Sequence, residues 1–396
     1  MSNTKTEGRE SWSELLTAPE SGQTALVSLL FFLSCLILPF SHYERLAAIF
    51  MVVAAVFYYL LTRSIRTIFL YALPALFLYG FSAFVPMTVT NMTLPCAYVA
   101  IVLGGGCGSF LLTHFHNPRR HWPVLLMPLA AYAIAAPLSG DPIRALTVLL
   151  PAAAAAVAGI CLIRLAPHTE AVVLIAAVLA ALLSLLGILT LATQGTLRPT
   201  FLTDVSDKIH GGVMSYFAET QQLFAEHGLP FPYSDVYIFN LASTLVNILP
   251  ALFLCACSIT AFLTWRSLLG LLVAFRSVPR MPLRTLAFSM SRTSAVLFLA
   301  SLVVFLFAGG SGSTPTGMVC LNMAITLSPG LALIGFSTLF AKNAPASCLN
   351  RALGIGLVIL ALYNPATALI FAASYGAVGV LAARFLQKHN DNSKGE

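Results

Sequence analysis

Apolar runs of about 16–24 residues follow one another from Ala25 almost to Arg384, separated by short polar or Pro/Gly-containing breaks. Wound as a helix, such a run matches the hydrocarbon thickness of a bilayer, about 30 Å. Inside that layer every backbone N–H and C=O must be satisfied by protein, which leaves helices or closed barrels. Barrel strands alternate apolar and polar residues over about ten positions, and these runs do not. The sequence therefore predicts an all-α, polytopic transmembrane helix bundle. Composition closes off the soluble alternative: 58% of residues are hydrophobic, 9% are charged and the mean hydropathy is +0.88. A soluble domain carries roughly a quarter charged residues.

About twelve spans are expected, with a range of nine to twelve: 25–40, 46–62, 67–85, 93–113, 123–138, 145–163, 171–193, 238–264, 293–309, 317–341, 350–363 and 366–384. The last two are either short helices hinged at Asn364-Pro365 or one kinked helix, because proline interrupts the hydrogen-bond ladder. Residues 1–24 read as a polar cytoplasmic tail, and the first run reads as an uncleaved span, since no small-residue cleavage site follows it. Residues 25–193 form an N-terminal membrane half, 194–236 an extracytoplasmic connector, 237–385 a C-terminal half and 386–396 a second cytoplasmic tail.

Lys and Arg favour cytoplasmic loops. With both termini inside, Arg63, Arg66, Arg119, Arg120, Arg164, Lys342, Arg351 and Arg384 all fall on that side. So does 265–292, which has five arginines and no acid; its 265–284 portion could lie on the membrane as a basic amphipathic helix. The expected location is a bacterial cytoplasmic membrane. Because the basic residues are scattered between spans, no nucleic-acid partner is expected.

Acids are distributed unevenly. After Asp235 the next is Asp391, and none sits at the centre of a proposed span. Ion-coupled transporters and acid–base enzymes need such carboxylates, so neither ion coupling nor enzymatic activity is expected. No nucleotide, H-E-x-x-H or Ser-His-Asp pattern occurs, and the chain is expected to need no cofactor. The eight cysteines form no C-x-x-C pair and read as small buried hydrophobes. In "HFHNPRRH" (114–121) the three histidines lack an acid or thiol neighbour, so no metal site is expected and a basic surface loop is favoured.

Two sets of residues stand out. Asn240, Ser243, Thr244 and Asn247 share one helix face, as do Asn322 and Thr326. Amides in lipid need hydrogen-bond partners, so these six either bond helices together or face a substrate. Gly104 and Gly108 in "GGGCG", and Ala152 with Ala156 in an alanine run, form small-xxx-small pairs suited to close helix packing.

Four blocks carry a resemblance: "LTVLLPAAAAAVAGICLIRLAPHTEAVV" (147–173), residues 202–228, "CLNMAITLSPGLALIGFSTLFAK" (320–342) and "RALGIGLVILALYNPATALIFAASYGAVGVLAARF" (351–385). Together they resemble the YybS-like family of uncharacterised bacterial integral membrane proteins, over roughly residues 45–385. That family is distantly similar to the substrate-binding S components of energy-coupling-factor transporters, about six-helix bundles that dock on a shared ATPase module. The resemblance implies an S-like half over about 45–193. S components usually carry an Ala-x-x-x-Ala docking pair on an early helix, whereas here such pairs (Ala152 with Ala156, Ala154 with Ala158) lie in the sixth span.

The expectation is a transport-related protein that binds or passes a small-molecule ligand without its own ATPase or coupling carboxylate. The alternative is a membrane scaffold or envelope-assembly partner. Expected partners are the lipid bilayer, a small molecule, and a membrane protein or second copy. A major-facilitator arrangement fits the span count but not the loops, since only "RSIR" occupies the second one. In 202–228, Val205, Ile209, Val213, Phe217 and Phe224 line one face, while Gly211-Gly212 weaken the centre by about 1 kcal/mol each. A broken amphipathic helix on the outer membrane surface is expected there.

Overall fold

A computed structural model describes residues 21–63, 65–82, 92–114, 118–164, 166–193, 195, 200–275, 290–308, 314–339, 348–363 and 365–392. No strand occurs among them. The helices are α1 (Ser21–Ile37), α2 (Glu44–Thr62), α3 (Ile65–Ser82), α4 (Thr93–His114), α5 (Pro118–Ser139), α6 (Pro142–Ala145), α7 (Leu149–Ile163), α8 (His168–Thr193), α9 (Phe201–Glu226), α10 (Asp235–Ala274), α11 (Arg292–Phe307), α12 (Pro315–Leu339), α13 (Cys348–Tyr363) and α14 (Pro365–Asn392). Each proposed span overlaps one helix, the sixth α6 and α7 joined by a 3₁₀ turn. Among the described residues, α2, α4, Pro142–Ile163, α8, α10 and α12 are long and apolar enough to cross a membrane. The loops at 86–91 and 309–313, His116, Arg276, Arg280, Arg284, Lys342 and Asn364 lie outside the described residues, as do the ends of both tails.

Contacts divide the chain into unit 1, Met1–Val246 with Thr260–Thr285, and unit 2, Asn247–Ile259 with Leu286–Glu396. The centre of unit 1 is α4, in which every residue from Val99 to Leu111 is buried. Its glycines explain how it can be surrounded. At 100° per residue, Gly104, Gly105 and Gly106 look in three directions, and Gly108 shares the face of Gly104 one turn on. A Cβ on Gly104 would sit 2.6 Å from Pro151 Cβ, on Gly105 2.5 Å from Thr264 Cγ2, on Gly106 2.5 Å from Ser267 Oγ, and on Gly108 2.6 Å from both Ala155 Cβ and Phe31 Cε2. Bare backbone on all sides lets α1, α7 and the end of α10 approach together. The pairs Gly104–Pro151 and Gly108–Ala155 make α7 parallel to α4, as Gly105–Thr264 and Phe110–Phe275 do for α10. Gly104–Ser34 and Gly108–Phe31 make α1 antiparallel. An alternating chain requires these directions of its sixth, eighth and first segments.

Unit 2 has its own core, with Phe298 of α11, Leu331 of α12, Leu357 of α13 and Ala372 of α14 buried together. At its tightest point Gly335 of α12 and Gly376 of α14 face backbone. A Cβ on Gly335 would strike the Ala372 carbonyl, and one on Gly376 the Leu331 carbonyl. Leu331/Gly335 and Ala372/Gly376 are each one helical turn apart, the spacing of close small-residue crossings.

Two expectations are corrected. First, α9 is one continuous helix through Gly211-Gly212. Ile209 and Val213, flanking the pair, are buried, and His210 packs its ring 5.0 Å from that of Phe239 on α10. Tertiary contact on that face offsets the glycine cost. The helix then ends at Gly228 (φ 68°): Leu229 N–H donates to the Phe224 carbonyl and Gly228 N–H to that of Ala225, the paired bonds of a glycine-terminated helix.

Second, α10 continues beyond the expected span to Ala274, giving 40 residues, about 60 Å at 1.5 Å per residue. The 265–274 stretch is therefore neither loop nor surface helix. Trp265, Leu268, Leu269, Leu271 and Leu272 are all buried, because the glycines of α4 leave room for them.

Candidate functional site

The α2–α3 hairpin leans on α4 across a gap. On α2, Met51, Val52, Ala55, Val56 and Tyr59 recur at helical spacing; on α3, Tyr71, Ala72 and Ala75 do the same. The alanines are too short to fill the space between the helices. What remains is a groove of about 330 Å³, closed at the back by Val99 of α4 and lined almost wholly by apolar atoms. Its outer lip is open, with Val52 62% and Val56 50% exposed.

Behind the groove lies a hydrogen-bonded knot. Tyr58 O–H donates to the Ser267 carbonyl (3.0 Å), Ser267 Oγ–H donates to Tyr58 Oη (3.0 Å), and Tyr71 Oη is 3.1 Å from Ser267 Oγ. With Tyr71 as donor in the last contact, each hydroxyl proton has an acceptor. The two rings meet edge to face at 5.4 Å, and all three residues are buried. Buried polar atoms stay favourable only when paired in this way, so the knot ties α2, α3 and α10 of unit 1 into a fixed rear wall. Tyr71 belongs to both wall and groove.

One turn beyond Tyr59 of the groove, α2 ends on a charged residue. Arg63 caps α2 in the left-handed conformation (φ 48°, ψ 30°) and donates its N–H to the Tyr59 carbonyl at 2.7 Å. Just before α2, partial desolvation holds the exposed His42 imidazole below its usual range; Arg144 pushes it the same way and Asp141 opposes. Asp141 caps α6 by accepting from Ile143 N (2.9 Å) and Arg144 N (3.1 Å).

The amide-rich residues lie elsewhere. In unit 1, Asn240 is exposed and its carbonyl accepts from Thr244 Oγ1 (2.8 Å). Ser243 Oγ donates to the Phe239 carbonyl (3.0 Å) and is 3.4 Å from His210 Nε2. The other nitrogen of His210, Nδ1, is buried with no hydrogen-bond partner among the described residues.

In unit 2, Asn322 Nδ2 donates to the carbonyls of Asn247 and Met318, both at 3.0 Å, and Thr326 Oγ1 donates to the Asn322 carbonyl at 2.8 Å. The Asn247 side chain itself is exposed. Pro329 has no N–H to offer Ile325, one turn earlier. Ser328 Oγ (2.8 Å) and Cys255 Sγ (3.1 Å) donate to that carbonyl instead. The polar residues at 240–247 thus contribute to different units, and most of their bonds run to backbone within one helix.

On α7 the face towards α4 is Pro151, Ala154 and Ala155, all buried, with Ala158 and Gly159 continuing it. Ala152 and Ala156 are only half-buried.

The family model described as "Predicted membrane protein (DUF2232)" matches residues 115–346, more than half of the 396-residue chain. The chain belongs to this family. No curated protein and no solved structure matches it. The stretch that identifies this membrane-protein family takes in α5 to α12 and the amide-rich residues, while the α2–α3–α4 groove precedes it.

Sequence reasoning missed the groove, the Tyr58–Tyr71–Ser267 knot, the His168–Trp265 pair (Nε1–H to Nδ1, 2.9 Å) and the Gly335–Gly376 crossing. The crossing had a signal, since "AASYG" (372–376) is a small-xxx-small pair. The groove had none, because alanine opposite alanine reads as close packing until the helix separation is known.

Proposed function

We propose that this is a transport-related membrane protein in which unit 1 binds a small apolar molecule between α2, α3 and α4. The single observation that carries this reading is the groove itself: it is open at its lip, backed by the Tyr58–Tyr71–Ser267 knot, and set against α4, whose residues from Val99 to Leu111 are buried. The binding site moves from the amides named above to the apolar lining, because the amide bonds run mainly to backbone. With no phosphate-binding loop or intramembrane carboxylate in the sequence, the protein holds or hands on its ligand without energising the movement itself.

The test is to purify the full chain, extract bound small molecules and identify them by mass spectrometry, alongside Ala72→Trp, in which an indole fills the groove. An apolar molecule at near-stoichiometric amount in the wild type and absent from the variant is expected. Equal content in both sinks the proposal.

A scaffold reading is favoured by a different observation. The α9–α10 hairpin presents Leu229, Tyr233, Val236 (70%), Tyr237 and Phe239 with large exposed areas. Photo-crosslinkers at Val236 and Phe239 that capture one defined membrane protein, rather than lipid alone, would favour that role.

A further inference from the structure

Arg63 gives the groove a second chemical property. Val52, Val56 and Tyr59 follow one another at helical spacing on one face of α2, and Arg63 is the residue that caps this helix one turn beyond Tyr59. Arg63 is about 6 Å further along the axis than Tyr59. No acid occurs in the sequence between Glu44, at the opposite end of α2, and Asp141. Among the described residues Arg63 is exposed and makes no ion pair. It is also the one non-glycine residue there with positive φ. A left-handed residue is a common helix ending, one that glycine adopts without the Cβ penalty.

Resting on the binding reading above, we infer that the occupant of the groove is an anionic phospholipid. One acyl chain lies along Met51–Tyr59 and Ala72–Ala75, and the phosphate is held by the Arg63 guanidinium. Three features support this. The apolar trough opens sideways through Val52 and Val56, the direction from which a lipid chain would enter. The cation stands at the end of the trough instead of inside it, matching an amphiphile with one charged end. The planar guanidinium binds phosphate oxygens in a fork, and a basic residue at a helix end is where an anionic leaflet surface attracts it.

The experiment is native mass spectrometry of the full chain in detergent. Phosphatidylglycerol and phosphatidylcholine with identical acyl chains are offered in competition. Wild type is expected to retain one phosphatidylglycerol with a preference on the order of tenfold. Arg63→Gln should bring the preference close to one while keeping a lipid bound, and Arg63→Lys should keep part of it. Arg63→Gly relaxes the left-handed backbone, so it should lose the preference without lowering the melting temperature, which a merely structural arginine would not do. Ala72→Trp should release both lipids with Arg63 intact.

Lipid retained without headgroup preference, or a preference unchanged by Arg63→Gln and Arg63→Gly, overturns the anionic-lipid assignment and leaves the apolar-ligand reading standing. No retained lipid in the wild type, with Ala72→Trp indistinguishable from it, overturns both.

Discussion

In unit 1 the glycines of α4 face side chains: Pro151, Thr264, Ser267, Ala155 and Phe31. In unit 2, Gly335 and Gly376 face the backbone of the opposing helix. The first arrangement spreads close approach around one central helix, where Thr264, Ser267 and Phe31 can turn a rotamer while the Cβ atoms of Pro151 and Ala155 move only with their helix. The second concentrates it at one crossing, where a carbonyl fixed in its own helix cannot turn aside. The same residue type thus meets partly adjustable side chains in one unit and fixed backbone carbonyls in the other. Glycine in α9 does neither, since a Cβ on Gly211 would meet nothing within 4 Å.

The comparison orders the expected effects. Gly335→Ala or Gly376→Ala should be the most damaging, costing about 3 kcal/mol or more by overpacking against backbone. Loss of protease resistance in α11–α14, with unit 1 fragments persisting, is the measurement. A variant as stable as wild type would break the contrast.

Gly105→Ala and Gly106→Ala should each cost about 1–3 kcal/mol. Of the two, Gly106 should be worse, because its Cβ would press on Ser267, whose hydroxyl is held by both tyrosines. Combining Gly106→Ala with Tyr58→Phe should therefore cost less than the sum, which thermal unfolding in detergent can read.

Trp265→Phe should cost about 1–3 kcal/mol, from the lost bond to His168 and the space left by the smaller buried ring. Gly211→Ala should instead stabilise by roughly 0.5–1 kcal/mol, and a decrease would show that the pair is needed as a hinge.

The slightest effect concerns pH. His42 binds its proton less readily folded than unfolded, for the reasons of partial desolvation and Arg144 given above. The unfolded state then holds more protons between the two values, so stability rises with pH through that window and is lost as pH falls below the usual histidine range. Melting temperatures at pH 7.5 and 5.5 should differ slightly more for wild type than for His42→Gln.

Helix positions were legible in the sequence because bilayer thickness sets the length of an apolar run. Even the amphipathic α9 announced itself through Ile209, Val213 and Phe217. Helix starts were legible only to within about three residues, since the caps Asp141 and Ser234 open α6 and α10 at Pro142 and Asp235, ahead of the expected 145 and 238. The end of α10 was not, since five arginines between 265 and 292 spelled a loop. Nor was the candidate site. Asn240 and Asn322 drew notice as costly amides, while the alanines that leave the groove open looked like ordinary packing residues.

The sequence by itself therefore determined the class of fold, the places where helices run, and the absence of an intramembrane carboxylate in the proposed spans. These follow from local quantities, namely hydropathy over a span and the residue types within it. Only tertiary structure decided which glycines meet side chains and which meet backbone, that α9 runs unbroken, and that Ala55, Ala72 and Ala75 border an open space. Each of those depends on how closely two helices approach, a quantity that neither helix's sequence contains.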